Sequence, residues 1–167
     1  MSDESDNGDA ADPPRVLLDA MCGSLATYLR MCGYDAAYAL DRGVEADDRL
    51  RELAAAERRV LITRDRELAA RTADAVLLTE REVVDQLREV VAAGYPVSLA
   101  AEPTRCGSCN GPVERSDGDA ISNDDRPDYV PDPGPESPDR LWRCRECGQW
   151  FWKGGHWESV AATLRDL

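Results

Sequence analysis

The sequence predicts an α/β fold, a parallel sheet of about four strands flanked by helices, followed by a small cysteine-rich module. Three observations carry this reading. Short apolar runs alternate with amphipathic helical patterns across residues 15–100, and two of these runs are followed by an aspartate, Asp19 at once and Asp65 after Arg64. Beyond residue 103 the alternation stops, and two CxxC pairs stand in a stretch rich in Trp, Pro and Gly. Strands that alternate with helices imply right-handed crossovers, which put every strand C-terminus on one edge of the sheet. Ligands of such sheets bind outside that edge.

The elements follow in order. Residues 1–14 are acidic and poor in apolar groups, the composition of a disordered tail. Arg15-Val16-Leu17-Leu18-Asp19 reads as a short buried strand ending in a carboxylate. Cys22, Leu25, Leu29 and Cys32 recur at helical spacing, and Gly33 suits the position just past a helix end. A second strand is expected within Tyr34–Leu40. Asp47 suits an N-cap for the next helix, which turns Leu50, Leu53 and Ala54 inward. Arg59–Thr63 (RVLIT) is the third strand, Arg66–Arg71 a short helix, and Ala75–Leu78 the fourth strand. Thr79 and Glu82 have the spacing of a capping box. The helix they open buries Val83, Leu87, Val90 and Val91 and ends at Gly94. Residues 101–167 form the second module: a cysteine ribbon, an acidic loop over Ser116–Asp139, and a short helix from His156 to Leu167.

Composition narrows the setting. The chain has 167 residues and a formal net charge of -13, with Lys153 its only lysine. Acid excess with almost no lysine matches cytosolic proteins adapted to high salt. Acidity normally opposes nucleic-acid binding, but at 1 M salt the Debye length is only about 3 Å, so local geometry decides. No apolar run approaches the roughly 20 residues that span a bilayer, so no membrane partner is expected. The acidic, polar start is no secretory signal. A cytoplasmic protein is expected, and nothing in the pattern specifies an oligomeric state.

Four of the six cysteines form the pairs Cys106/Cys109 and Cys144/Cys147. Without a secretory signal, paired CxxC motifs favour metal over disulfides. Four thiolates suit a closed, tetrahedral structural zinc, with iron the chemical rival. A glycine following each pair is expected to open its turn. Trp142, Trp150, Trp152 and Trp157 surround the second pair and suit the core of a small ribbon, with exposed rings able to stack on bases. His156, the only histidine, is expected to be structural because four cysteines already satisfy zinc.

Asp19 ends the first strand, Asp65 follows the third, and Asp47 and Asp48 open the helix after the second. All four belong near the C-terminal edge. Converging carboxylates repel one another, so a fold gathers them chiefly around a cation. Oxygen ligands without histidine or thiolate favour Mg²⁺ or Mn²⁺. Such an ion activates water and stabilises a phosphodiester's leaving oxygen. On this reading Asp19, Asp65 and Asp48 are the metal acids, and Asp47 is the cap or the substitute acid. Arg64 and Arg66 flank Asp65 and suit either anchoring it or a substrate phosphate. Ser24 and Thr63 are secondary polar contacts, and Glu80 is a remote further ligand. Other chemistries lack their motifs. Asp19-Ala20-Met21 has no second acid for a haloacid-type phosphatase, no Walker or GxGxxG loop is present, and one histidine beside the cysteines gives no nucleophile–base pair.

Together these blocks are familiar. Val16-Leu17-Leu18-Asp19-Ala20-Met21-Cys22-Gly23-Ser24-Leu25-Ala26-Thr27-Tyr28-Leu29-Arg30, completed by Gly33-Tyr34-Asp35, resembles the opening of the Mut-seven C-terminal RNase domain family, which reads "MLGxLAxxLRxLGYD" after a strand and an Asp. Asp47-Asp48-Arg49-Leu50, Leu61–Leu68 (LITRDREL), Trp142–Gly148 and Gly155-His156-Trp157 are similar to its later blocks. The resemblance implies a PIN-like fold with a C-terminal zinc ribbon and metal-dependent cleavage of RNA. By position the family's acids fall on Asp19, Asp48 (or Asp47) and Asp65. Cys22 departs from the usual Leu, and the acidic loop is unusual in composition. The expected function is therefore a metal-dependent endoribonuclease. The alternatives are a non-catalytic RNA- or ribosome-binding zinc-ribbon module and a protein adaptor acting through the acidic loop.

Overall fold

A computed structural model describes residues 14–117, 127–130 and 140–167. The expected acidic tail, apart from Pro14, and most of the acidic loop lie outside the described residues. Four strands, β1 (Val16–Leu18), β2 (Ala36–Tyr38), β3 (Val60–Thr63) and β4 (Ala75–Leu77), form one sheet in the order β2-β1-β3-β4. Every pairing is parallel, with Val16 opposite both Ala36 and Val60, and Ile62 opposite Val76. Between and after the strands run α1 (Gly23–Met31), α2 (Asp47–Glu57), α3 (Arg66–Ala70) and α4 (Val83–Ala92).

The sheet is covered on both faces, which is why its strands read as unbroken apolar runs. Side chains alternate across a strand, and the core divides accordingly. Val16, Leu18 and Ile62 join Leu25 and Leu29 of α1 and Leu87 and Val90 of α4. Leu17 and Leu61 join Leu50 of α2 and Leu68 of α3 on the other face. The sequence order reverses direction between β1 and β3, so the fold's topological switch point lies between their C-termini.

The remaining chain forms a three-stranded antiparallel sheet, β5 (Val113–Asp117), β6 (Arg140–Cys144) and β7 (Trp150–Phe151). Leu141 and Trp150, with Val130, fill its small core. The last helix, α5 (Gly155–Arg165), returns to the parallel sheet and buries Val160 and Leu164 in the core shared with α1 and α4. Among the described residues no helix is long and apolar enough to cross a membrane.

Several local expectations need correction. Asp47 does not cap α2: the N-cap is Ala46, and Asp47 sits one residue inside the helix, without a capping bond. Thr79 and Glu82 form no capping box, because α4 starts one turn later, with Glu82 itself as N-cap. The Glu89 carboxylate instead takes the Thr79 hydroxyl and the N–H groups of Thr79 and Glu80. Val91 faces solvent at 46% exposure. The inward stripe centres on Val83, Gln86, Leu87 and Val90, and at 100° per residue Val91 falls about 90° from that centre. Gln86 is buried in its place and donates to the Glu80 carbonyl.

Candidate functional site

Two groups of chemistry-bearing side chains stand out. The first lies at the switch point. β1 ends at Leu18 and β3 at Thr63, so Asp19 and Asp65 leave adjacent central strands on the same edge. Thr63, fully buried, links them. Its hydroxyl donates to Asp19 Oδ2 at 2.7 Å and accepts the Asp65 backbone N–H at 2.9 Å. Asp19 Oδ1 accepts the Ala20 N–H at 2.7 Å. Asp65 caps α3, its Oδ1 accepting the Leu68 N–H at 3.1 Å. Among the described residues nothing occupies Asp65 Oδ2, and each Asp19 oxygen keeps a free lone pair. Both carboxylates are thus held in fixed orientation with acceptor capacity left over.

The α2 acids behave differently. Asp48 is 73% exposed and ion-paired with Arg71 at 3.1 Å and Arg51 at 3.6 Å. Asp47 is half-buried and has no partner among the described residues. No three carboxylates of these residues come within 4.8 Å of one another. The structure therefore brings Asp19 and Asp65 into one hydrogen-bonded unit and leaves Asp48 outside it. Beside that unit, Arg64 has a buried Nε without an acceptor. A buried orphan donor costs about 1–3 kcal/mol. Arg66 is exposed, and Glu80 is exposed at the end of β4. Cys22 contributes no nucleophile here. Burial, reinforced by the Asp19 charge, pushes its thiol up to about 12.

The second group is the cysteine tetrad. The sulfurs of Cys106, Cys109, Cys144 and Cys147 all lie within 4.8 Å of one another. Cys106 and Cys147 are 3.6 Å apart, Cys109 and Cys144 3.5 Å. A tetrahedron with Zn–S of about 2.3 Å has S–S edges of about 3.8 Å, so the four could hold zinc with little adjustment. Backbone N–H groups already point at sulfur: Gly111 to Cys109, and Glu146 and Cys147 to Cys144. Burial raises the Cys144 thiol, but the Cys147 and Glu146 N–H groups outweigh it and hold its pKa below the ordinary value. In the first knuckle the turn is opened by Asn110, at φ 70°, and in the second by Gly148, at φ 79°. The glycine after Asn110 has another reason. A Cβ on Gly111 would lie 3.0 Å from the Cys144 sulfur and 2.6 Å from a Glu146 oxygen.

The knuckle is bolted to α1 and to the β2 end by residues to which the sequence assigned no role. Asn110 accepts the Ala36 N–H at 2.9 Å and donates to Asp35 at 2.7 Å. Arg30, buried on α1, donates to the carbonyls of Ala36 and Gly107. Asp35 also takes the buried Arg59 guanidinium at 2.9 Å. Burial works against the Asp35 carboxylate, but the Asn110 and Arg59 donors outweigh it and hold its pKa at about 2. Arg30 and Asp35 both stand in the block Leu29–Asp35, whose motif-like wording was the available signal.

With this geometry in hand, comparison with known proteins gives one result. A family model described as Mut7-C RNAse domain matches residues 14–164, nearly the whole chain. No curated protein and no solved structure matches it.

Proposed function

Because the chain belongs to the Mut7-C RNase domain family, we propose that it is a metal-dependent endoribonuclease whose centre is the Asp19–Thr63–Asp65 unit. The single observation that carries this reading is the pair of oriented carboxylates at the switch point between β1 and β3, where open α/β sheets bind their ligands. Asp19 and Asp65 would hold Mg²⁺ or Mn²⁺, ions commonly bound by only one or two carboxylates, with water and substrate phosphate filling the other positions. When bound, such an ion supplies an activated water and charge for the leaving oxygen. The protein's own part is orientation. Thr63 fixes both acids, and Arg64 and Arg66, on either side of Asp65, are the basic groups for a substrate phosphate. A third acid comes from the start of α2. Asp47 has no partner among the described residues, whereas Asp48 must first leave Arg71 and Arg51.

The tetrad Cys106, Cys109, Cys144 and Cys147 would carry structural zinc and hold the ribbon against the first domain. RNA is the substrate, and the charge of -13 with a single lysine supports a salt-adapted cytoplasmic setting. Calorimetric titration of Mn²⁺ into zinc-loaded protein tests the centre. One site beyond zinc is expected, lost in Asp19→Asn/Asp65→Asn; wild-type protein that binds no second metal would remove the mechanism.

A further inference from the structure

The junction between the two sheets holds a second concave site, which the carboxylate chemistry does not use. A cavity of about 290 Å³ opens between α1, the first cysteine knuckle and the turn from β7 into α5. Phe151, Trp152 and Trp157 form its aromatic wall, Met31 lines it from α1, and Arg105 and His156 are its basic groups. Small-molecule sites typically measure roughly 300–1,000 Å³. This cavity is at the small end, with room for one flat ring system rather than an extended chain.

The tryptophans divide in a telling way. Trp142 and Trp150 are 3% and 7% exposed and are explained by packing. Trp152 and Trp157 stay half-buried at the cavity. Both rings are braced. Trp152 stacks on Tyr129 at 6.3 Å between centroids, and Trp157 has the Lys153 ammonium 5.6 Å from its ring. Charge follows the same pattern. In a chain of net charge -13, the single lysine lies against the cavity wall and Arg105, which also donates to the Asn110 carbonyl at 3.1 Å, lines it; His156 adds its ring nitrogens. Half-exposed rings with cations next to them complement a nucleotide, ring against base and cation against phosphate.

We infer that this cleft seats one unpaired nucleobase of single-stranded RNA, stacked on Trp152 or Trp157, with its phosphate toward Arg105 and His156. The inference rests on the reading of RNA as substrate, and not on cleavage.

The test uses the full-length, zinc-loaded Asp19→Asn/Asp65→Asn protein, so that no RNA is consumed. It is titrated into a short oligoadenylate carrying one 2-aminopurine. Saturable quenching, competed by AMP more weakly than by unlabelled RNA, is expected. Trp152→Ala or Trp157→Ala, whichever ring carries the base, weakens binding about tenfold or more. Thr27→Phe fills the cavity from α1, leaves every aromatic wall in place, and has the same effect. Zinc content and far-UV circular dichroism verify that each variant is folded. Affinity unchanged in folded Thr27→Phe and in both tryptophan variants overturns the inference, as does AMP competing better than RNA. If wild-type protein cleaves no RNA while quenching and its losses hold, the nuclease reading falls and this one stands. If cleavage holds and quenching ignores the variants, the reverse is true.

Discussion

Asn110→Gly is the sharpest test of how the ribbon is attached. The substitution removes two bonds between the first knuckle and β2, the Ala36 N–H to Oδ1 and Nδ2 to Asp35. Ala36 is 0% exposed while Asn110 covers it, and its N–H loses the acceptor it has there. Orphaning a buried N–H costs about 1–3 kcal/mol, and a bond to a charged group is worth about 1.5–3 kcal/mol. Asp35 keeps Arg59 and Arg15 as partners, which limits the second loss, so a net destabilisation of about 2–4 kcal/mol is expected. Glycine is chosen because Asn110 sits at φ 70°, where it adds no strain. Asn110→Ala should be worse by about a further 1 kcal/mol for the left-handed backbone. For a chain of this size each kcal/mol moves Tm by about 2–4 °C, so thermal unfolding of zinc-loaded Asn110→Gly should shift down by about 5–15 °C. A shift within about 1 °C of wild type would refute the claim that this side chain joins the two modules.

Further outcomes follow from the same geometry. Thr63→Val keeps volume but cuts the hydroxyl between Asp19 and Asp65; Mn²⁺ affinity by calorimetry should fall about 10–100-fold, and the orphaned Asp65 N–H should lower Tm by about 2–10 °C. Asp47→Asn should lower RNA cleavage more than Asp48→Asn, because Asp48 is already committed to arginines; rates of the two variants on one labelled RNA decide it. The folded Asp35 pKa, about 2, lies below its ordinary 3.8, so its contribution is present above about pH 4 and is lost as pH falls toward 2. With its side chain 18% exposed, that contribution is about 2 kcal/mol, and urea midpoints of wild type and Asp35→Asn should converge across that window. A chelator that strips the tetrad should expose Trp142 and Trp150, seen as a red shift in fluorescence; an unchanged spectrum after complete metal removal would contradict a structural metal.

What the sequence made legible was local or periodic. Val16-Leu17-Leu18 and Val60–Thr63 are strands buried on both faces, so their apolar runs suffice to find them. The tetrad was legible because CxxC spacing is itself a statement about sulfur geometry, which the 3.5 and 3.6 Å separations match. The Asp19–Asp65 proximity follows from parallel topology alone. What stayed hidden depends on distant partners. Asn110 meets Asp35 and Ala36 across more than 70 residues of chain. Glu89 takes over the donors of Thr79 and Glu80 from the second turn of α4, which no capping rule anticipates. Asp48 was placed near the edge, but its arginine partners, one of them beyond β3, could not be read from a helix start.

The measurement closest to the central claim is cleavage of end-labelled single-stranded RNA by zinc-loaded protein in Mn²⁺ or Mg²⁺, at high salt. Wild type should cut internally and only with the added metal, while Asp19→Asn/Asp65→Asn, folded and still carrying zinc, should lose at least about 100-fold in rate. Cutting that persists in that variant, or that survives removal of the added metal, would contradict the assignment of Asp19 and Asp65 as the metal-holding pair.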